Sequence, residues 1–107
     1  MRECMASKVS LGDIIKIDGK KNCFVVVSSN TFNNNSSIFY VCPIVKDALI
    51  GPFHTDIEGK NGNRGTAICE NVIPINPASI AYKQVDSIPY AQIIEISDII
   101  QGIFEYD

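Results

Sequence analysis

The 107-residue chain has no apolar run long enough to span a membrane, and residues 1 to 11 hold none resembling a signal sequence. A cytoplasmic protein without membrane attachment is therefore expected. Excess positive charge is also missing. Nine Lys and Arg stand against twelve Asp and Glu, a formal net charge of −3. That excludes a generally basic coat for nucleic acid, because non-specific phosphate binding needs a cationic field, but it leaves room for a local basic groove. There is one histidine, His54, and the four cysteines (Cys4, Cys23, Cys42 and Cys69) are too far apart to form a C-x-x-C pair. Neither a metal centre nor another cofactor is expected, and the thiols read as free and mostly buried. Internal repeats are absent, and the only biased tract is the asparagine cluster Asn33 to Asn35.

What is present is the balance of an ordinary globular protein, 46% hydrophobic and 20% charged. The length suits a single domain over residues 1–107 with one modest core. Residues 12–18 are rich in isoleucine between two glycines and read as a strand. After the polar turn Asp18 to Asn22, residues 23–29 form a nearly unbroken apolar strand, which suggests burial on both faces. Residues 30–37 read as a polar loop, and residues 38–45 as a strand whose Pro43 requires an edge or a bulge. Alternation over residues 52–57 predicts a half-buried strand. A glycine-rich hairpin loop follows over 58–65, then a strand over 66–72. A single helical turn is expected over 75–80, with Asn76 capping and Pro77 at its first position. Ile93, Ile96, Ile100, Ile103 and Phe104 fall at steps of three and four, so residues 90–105 read as a helix opened by Pro89. The expected fold is mostly β: an N-terminal extension over 1–11, a small curved antiparallel barrel over 12–88, and the C-terminal helix over 90–105.

The order of these segments resembles the MazF/PemK family of toxin–antitoxin toxins. The matching motifs are Gly12-Asp13-Ile14-Ile15, Val25-Val26-Val27-Ser28, Phe32-Asn33-Asn34, Val41-Cys42-Pro43-Ile44, Pro52-Phe53 and Glu70-Asn71-Val72. The resemblance implies an SH3-like barrel, a homodimer, cleavage of single-stranded RNA at short sequence motifs, and an antitoxin partner whose disordered tail wraps the dimer. It also implies an Arg-Pro pair at the start of the second strand and a Thr or Ser hydroxyl after the Pro-Ile pair. Here those positions are Asn22, Cys23 and Val45, so the expected cation and hydroxyl are both replaced.

Cleavage through a 2′-hydroxyl needs a base, an acid and a cation for the phosphate. Asn22 offers hydrogen-bond donors but no charge. Lys21 is adjacent to the missing arginine and Lys46 to the missing hydroxyl, which makes both candidates to replace the lost charge. His54 is the only side chain with an ordinary pKa near neutrality, suited to acid–base work. Lys20 and Arg64 are candidate phosphate contacts, and Phe32 with Asn33 could stack on and read unpaired bases. Each has a structural alternative: solvated loop charges for Lys20, Lys21, Lys46 and Arg64, a polar contact within the fold for His54, and an ordinary turn for the asparagines. Two further readings stay open. One is a non-catalytic dimeric module of the same fold that binds RNA or protein. The other is a CcdB-like toxin acting on a protein target, for which Ile103, Phe104 and Tyr106 are a faint terminal signature.

Overall fold

The computed structural model describes residues 9–48 and 50–104. Its elements run β1 (Asp13–Ile17), β2 (Cys23–Val26), α1 (Asn30–Asn35), β3 (Phe39–Val45), β4 (His54–Glu58), β5 (Arg64–Ile68), β6 (Ile73–Ile75), β7 (Tyr82–Ser87) and α2 (Tyr90–Phe104). The strands form one antiparallel seven-stranded sheet in the order β4-β5-β3-β2-β1-β7, with β6 also paired to β3. The fold class is the expected one, mostly β with a C-terminal helix. The sheet is not closed, since no strand pairing joins β4 to β7 among the described residues.

Successive strand residues point to opposite faces, and here both faces are buried. Ile14, Val25, Cys42, Ile44, Ile57 and Ala67 pack on one side with Ile96 of α2. Ile15, Ile17, Phe24, Val26, Phe39 and Val41 pack on the other with Ile75. This double burial is why the second strand reads as almost continuously apolar rather than alternating. Helix α2 lies over the first cluster, with Ile93, Ile99 and Ile100 packed around the buried Ile96. Ile99 thus joins the buried face, while Phe104, expected on it, is 73% exposed. The carbonyl of Pro89 accepts from the amides of Gln92 and Ile93, so Pro89 precedes the helix and starts its bonding. Glu105 and Tyr106 lie outside the described residues, as does Cys4.

Four local expectations are corrected. Residues 30–35 form a helix instead of a loop: Ser29 caps it by accepting from the Phe32 amide at 3.1 Å, and Asn33 is buried beneath it. Asparagine's poor helix propensity hid this, and a cap with one buried contact outweighs it. The strand expected over 66–72 is β5, which begins at Arg64 and stops at Ile68, because the chain turns there, the Asn71 amide donating to the Ile68 carbonyl; the separate strand β6 follows only at Ile73. Strand β7 went unseen because Lys83, Gln84 and Asp86 break any apolar alternation. Pro43 lies within the sheet instead of on an edge strand. It faces Phe24 of β2, at the point where the other neighbour of β3 changes from β6, at residues 39–41, to β5, at 44–45. Proline, which cannot donate to a ladder, sits where the ladder on that side is interrupted. Asn76 does cap a turn, its side chain accepting from the Ala78 amide at 3.0 Å, but Ile75 before it belongs to β6.

No helix among the described residues is long and apolar enough to cross a membrane.

Candidate nucleic-acid interface

Antiparallel pairing brings distant segments to one end of the sheet. Cys23 at the start of β2 faces Ile44 near the end of β3, and Val45 in turn faces Thr66 near the start of β5. The β1–β2 turn, the end of β3 and the β4–β5 loop therefore converge. Between them is a cleft of about 360 Å³. Lys21, Asn22 and Cys23 form one wall, Ile44 and Lys46 the floor, and Gly62, Asn63 and Arg64 the opposite wall. Close approach of β5 to β3 beside the cleft depends on Gly65, where a Cβ would meet Ile44 Cγ2 at 2.6 Å and the Val45 carbonyl at 3.1 Å.

Three of the lining side chains are cations and none is a carboxylate. In a chain of net charge −3 this is a concentrated positive site. Arg64 pairs only loosely with Glu58, at 3.7 Å with both side chains largely exposed, so the arginine stays available to an anion. The cleft thus gathers Lys21, Asn22, Lys46 and Arg64 of the residues singled out in the sequence.

The other four lie elsewhere. Lys20 is exposed in the β1–β2 turn and does not line the cleft. His54 sits on β4, its Nε2 3.3 Å from Glu70 Oε1, beside a separate cavity of about 400 Å³ that also borders Asp56 and Glu95. Phe32 packs against Tyr40 with ring centroids 5.7 Å apart. Asn33 is turned inward. Its side-chain carbonyl accepts from the Ser28 hydroxyl at 2.6 Å and its amide donates to the Ser28 carbonyl at 3.1 Å. The Ser28 hydroxyl also accepts from the Tyr40 amide at 3.0 Å, so Asn33 ties α1 to β3.

Sequence reasoning missed Asn63 and the group behind it, Asp86. The Asp86 side chain is 3% exposed on β7 and accepts from the amides of Asn61 (2.9 Å), Asn63 (3.1 Å) and Ser87 (2.7 Å) and from Asn63 Nδ2 (2.8 Å). Burial pushes its pKa up, but the hydrogen bonds from Asn63, Asn61 and Ser87 outweigh that and bring it down to about 2. No local signal marks Asp86, since its partners in the loop are 23 and 25 residues away. Cys23 is half-buried at the cleft wall. The deeper thiols are held protonated: Cys42 is pushed up to about 12 by burial and by Cys69, and Cys69 to about 11 by burial, Glu95 and Glu70.

An open antiparallel sheet with a helix across one face places the chain in the fold seen in MazF structures. It superposes on a chain of the MazE–MazF crystal structure (Form-I) from Deinococcus radiodurans with a TM-score of 0.79 and 15% identity, covering 91% of this chain and 96% of that one. An endoribonuclease from a mycobacterial species matches at TM-score 0.78 and 11% identity, covering 92% of each chain. An endoribonuclease in complex with its cognate antitoxin, also mycobacterial, matches at 0.77 and 12%, covering 92% of this chain and 99% of that one. No curated protein matches the chain in sequence. The family of PemK-like, MazF-like toxins of type II toxin–antitoxin systems matches residues 9–104, and the chain belongs to it.

Proposed function

We propose that the chain is a toxin that binds single-stranded RNA in the cationic cleft and cleaves it with lysines in place of the missing arginine. The observation that carries this reading is the convergence of Lys21, Lys46 and Arg64 around Asn22, the position of the family's arginine. In the reaction the 2′-oxygen attacks the adjacent phosphorus, the bond from phosphorus to the 5′-oxygen breaks, and a cyclic phosphate and a 5′-hydroxyl result. Negative charge builds on the phosphate oxygens, where preorganised cations act most strongly. The Lys21 and Lys46 ammonium groups supply that charge, and either can give a proton to the departing 5′-oxygen, while the proton of the attacking 2′-hydroxyl passes to water, since neither a carboxylate nor the imidazole lines the cleft. Asn22 contributes hydrogen-bond donors, and Arg64 holds a neighbouring phosphate. His54 lies beside a separate cavity, and this reading assigns it no role in the step. An antitoxin partner and a homodimer belong to the same proposal; solved structures of the fold pair MazF with MazE and an endoribonuclease with its antitoxin.

The test is incubation of the purified protein with a long mixed-sequence single-stranded RNA in EDTA, beside Lys21→Ala/Lys46→Ala. Cleavage that falls about 100-fold or more in the variant is the expected result. A second reading is favoured by Asn22 and Val45, which replace the charge and the hydroxyl usual in the family. It is a module that binds RNA without cutting. Binding that depends on the two lysines, with the strand left intact, would decide for it.

A further inference from the structure

Asp86 stands directly behind the cleft. It touches the wall through Asn63, which both lines the cleft and gives Asp86 two hydrogen bonds. The whole β4–β5 loop is fastened in the same place. Asn61 donates to the other carboxylate oxygen, the Lys60 amide donates to the Ser87 carbonyl at 2.8 Å, and the Gly59 amide donates to the Asn63 carbonyl at 2.7 Å. Gly59 packs so tightly that a Cβ there would collide with the Asp86 carboxylate.

The sheet is built to aim this carboxylate. β1 and β7 pair with a register shift: Ile14 faces Asp86 while Ile15 faces Gln84, leaving Val85 as the extra residue. A bulge of this kind re-aims the side chains on one side of it. Lys83 and Gln84 are consecutively exposed, and Asp86 is turned inward. Burying a carboxylate costs free energy unless its acceptor positions are filled, and here they are filled by the loop that carries Asn63 and leads into Arg64. The Arg64 backbone is paired with Glu58 at the loop's exit, but its side chain makes only a loose contact there, at 3.7 Å to the Glu58 carboxylate.

We propose that Asp86 is a positioning residue for the cleft: by holding residues 59–63 onto β7 it keeps Asn63 and Arg64 facing Lys21 and Lys46, so that RNA phosphates meet cations on both walls at once. This rests on the reading of the cleft as an RNA site. Asp86 touches no substrate and acts through Asn63 and the loop backbone.

The experiment is fluorescence-anisotropy titration of a short mixed-sequence single-stranded RNA over a range of salt concentrations. It compares wild type, Asp86→Asn, Arg64→Ala and the double variant, with Lys21→Ala/Lys46→Ala as the control for the site. Asparagine keeps the size of the side chain but leaves one acceptor oxygen where there were two. On a single strand each phosphate contact contributes about 0.7 to the slope of log affinity against log salt. The proposal expects Asp86→Asn to lower the slope by about 0.7, as Arg64→Ala does, and the double variant to match Arg64→Ala alone. Independent losses that multiply in the double variant would overturn it, as would wild-type slope and affinity in Asp86→Asn. If Asp86→Asn does not fold, Asn63→Ala takes its place. It removes only the side-chain bond, and the same non-additivity with Arg64→Ala is required. Wild-type protein that does not bind, or whose binding ignores the Lys21→Ala/Lys46→Ala change, overturns the RNA reading and the proposal together. The other negative outcomes overturn the proposal alone.

Discussion

Two polar segments of this chain are alike in composition and opposite in how they are held. Residues 30–35, four of them asparagine, form a helix pinned by a neutral amide, Asn33, whose partner Ser28 is five residues away. Residues 59–63 form a loop pinned by an ionised carboxylate, Asp86, contributed by a strand more than twenty residues further on. Both devices bury one polar side chain and fill its bonding positions. The first is local and forms with its own turn of chain. The second exists only once β7 has docked beside the loop, so the cleft wall, begun by the loop's own Gly59–Asn63 bond, is completed by tertiary structure.

The contrast is sharpest on removal of the pinning group. Asp86→Ala leaves the Asn61, Asn63 and Ser87 amides and the Asn63 side chain without their acceptor, and is expected to cost about 3 kcal/mol or more. A urea unfolding curve would measure it, and a loss below about 1 kcal/mol would show that the loop finds other partners. Asn33→Ala removes a neutral pair instead and is expected to cost about 2 kcal/mol by the same measurement. Because α1 is not part of the cleft, RNA affinity of that variant should stay near wild type. Equal effects of the two substitutions on RNA binding would erase the distinction.

Acid separates the two regions most subtly. An ordinary aspartate takes up its proton near pH 3.8, whereas Asp86 in the folded protein does so only at about 2. The unfolded chain therefore binds the proton first. The stabilisation from Asp86 is complete above about pH 3.8 and is lost as the pH falls through about 2. Urea midpoints followed from about pH 5 down to about pH 2.5 should fall more steeply for wild type than for Asp86→Asn. Asn33, being neutral, contributes nothing to that slope. Identical slopes in the two proteins would mean that Asp86 is not the group responsible.

These two regions also mark what could be read from the residues alone. The strands of the central sheet were legible because Ile14, Ile15, Val25 and Val26 are apolar on both faces, and α2 was legible from its isoleucine spacing. Lys21, Asn22 and Lys46 were singled out by their positions relative to the family's motifs and Arg64 by its place in the glycine-rich loop, and antiparallel pairing does bring these four to one end of the sheet. Helix α1 was hidden because its asparagines argue against a helix, although the capping residue Ser29 was in plain view. Strand β7 and Asp86 were hidden for a different reason. A strand that turns a carboxylate inward has no apolar alternation, and the bulge at Val85 breaks even the polar one. Nothing near Asp86 in sequence shows that its partners lie at Asn61 and Asn63.

The clasp between Asp86 and the β4–β5 loop also bears on the edges of the sheet. An open sheet ends in two strands with unpaired backbone groups, and such strands are templates for joining one molecule to the next. Here the Lys60 amide meets the Ser87 carbonyl beyond one end strand, and the Glu58 amide at the other is taken by Gln92 of α2 at 2.9 Å. The two free margins of the sheet are drawn toward each other and partly spent within the molecule. The Asp86 carboxylate, which fastens Asn61 and Asn63 beside this junction, thus sits where the two margins of the sheet come together.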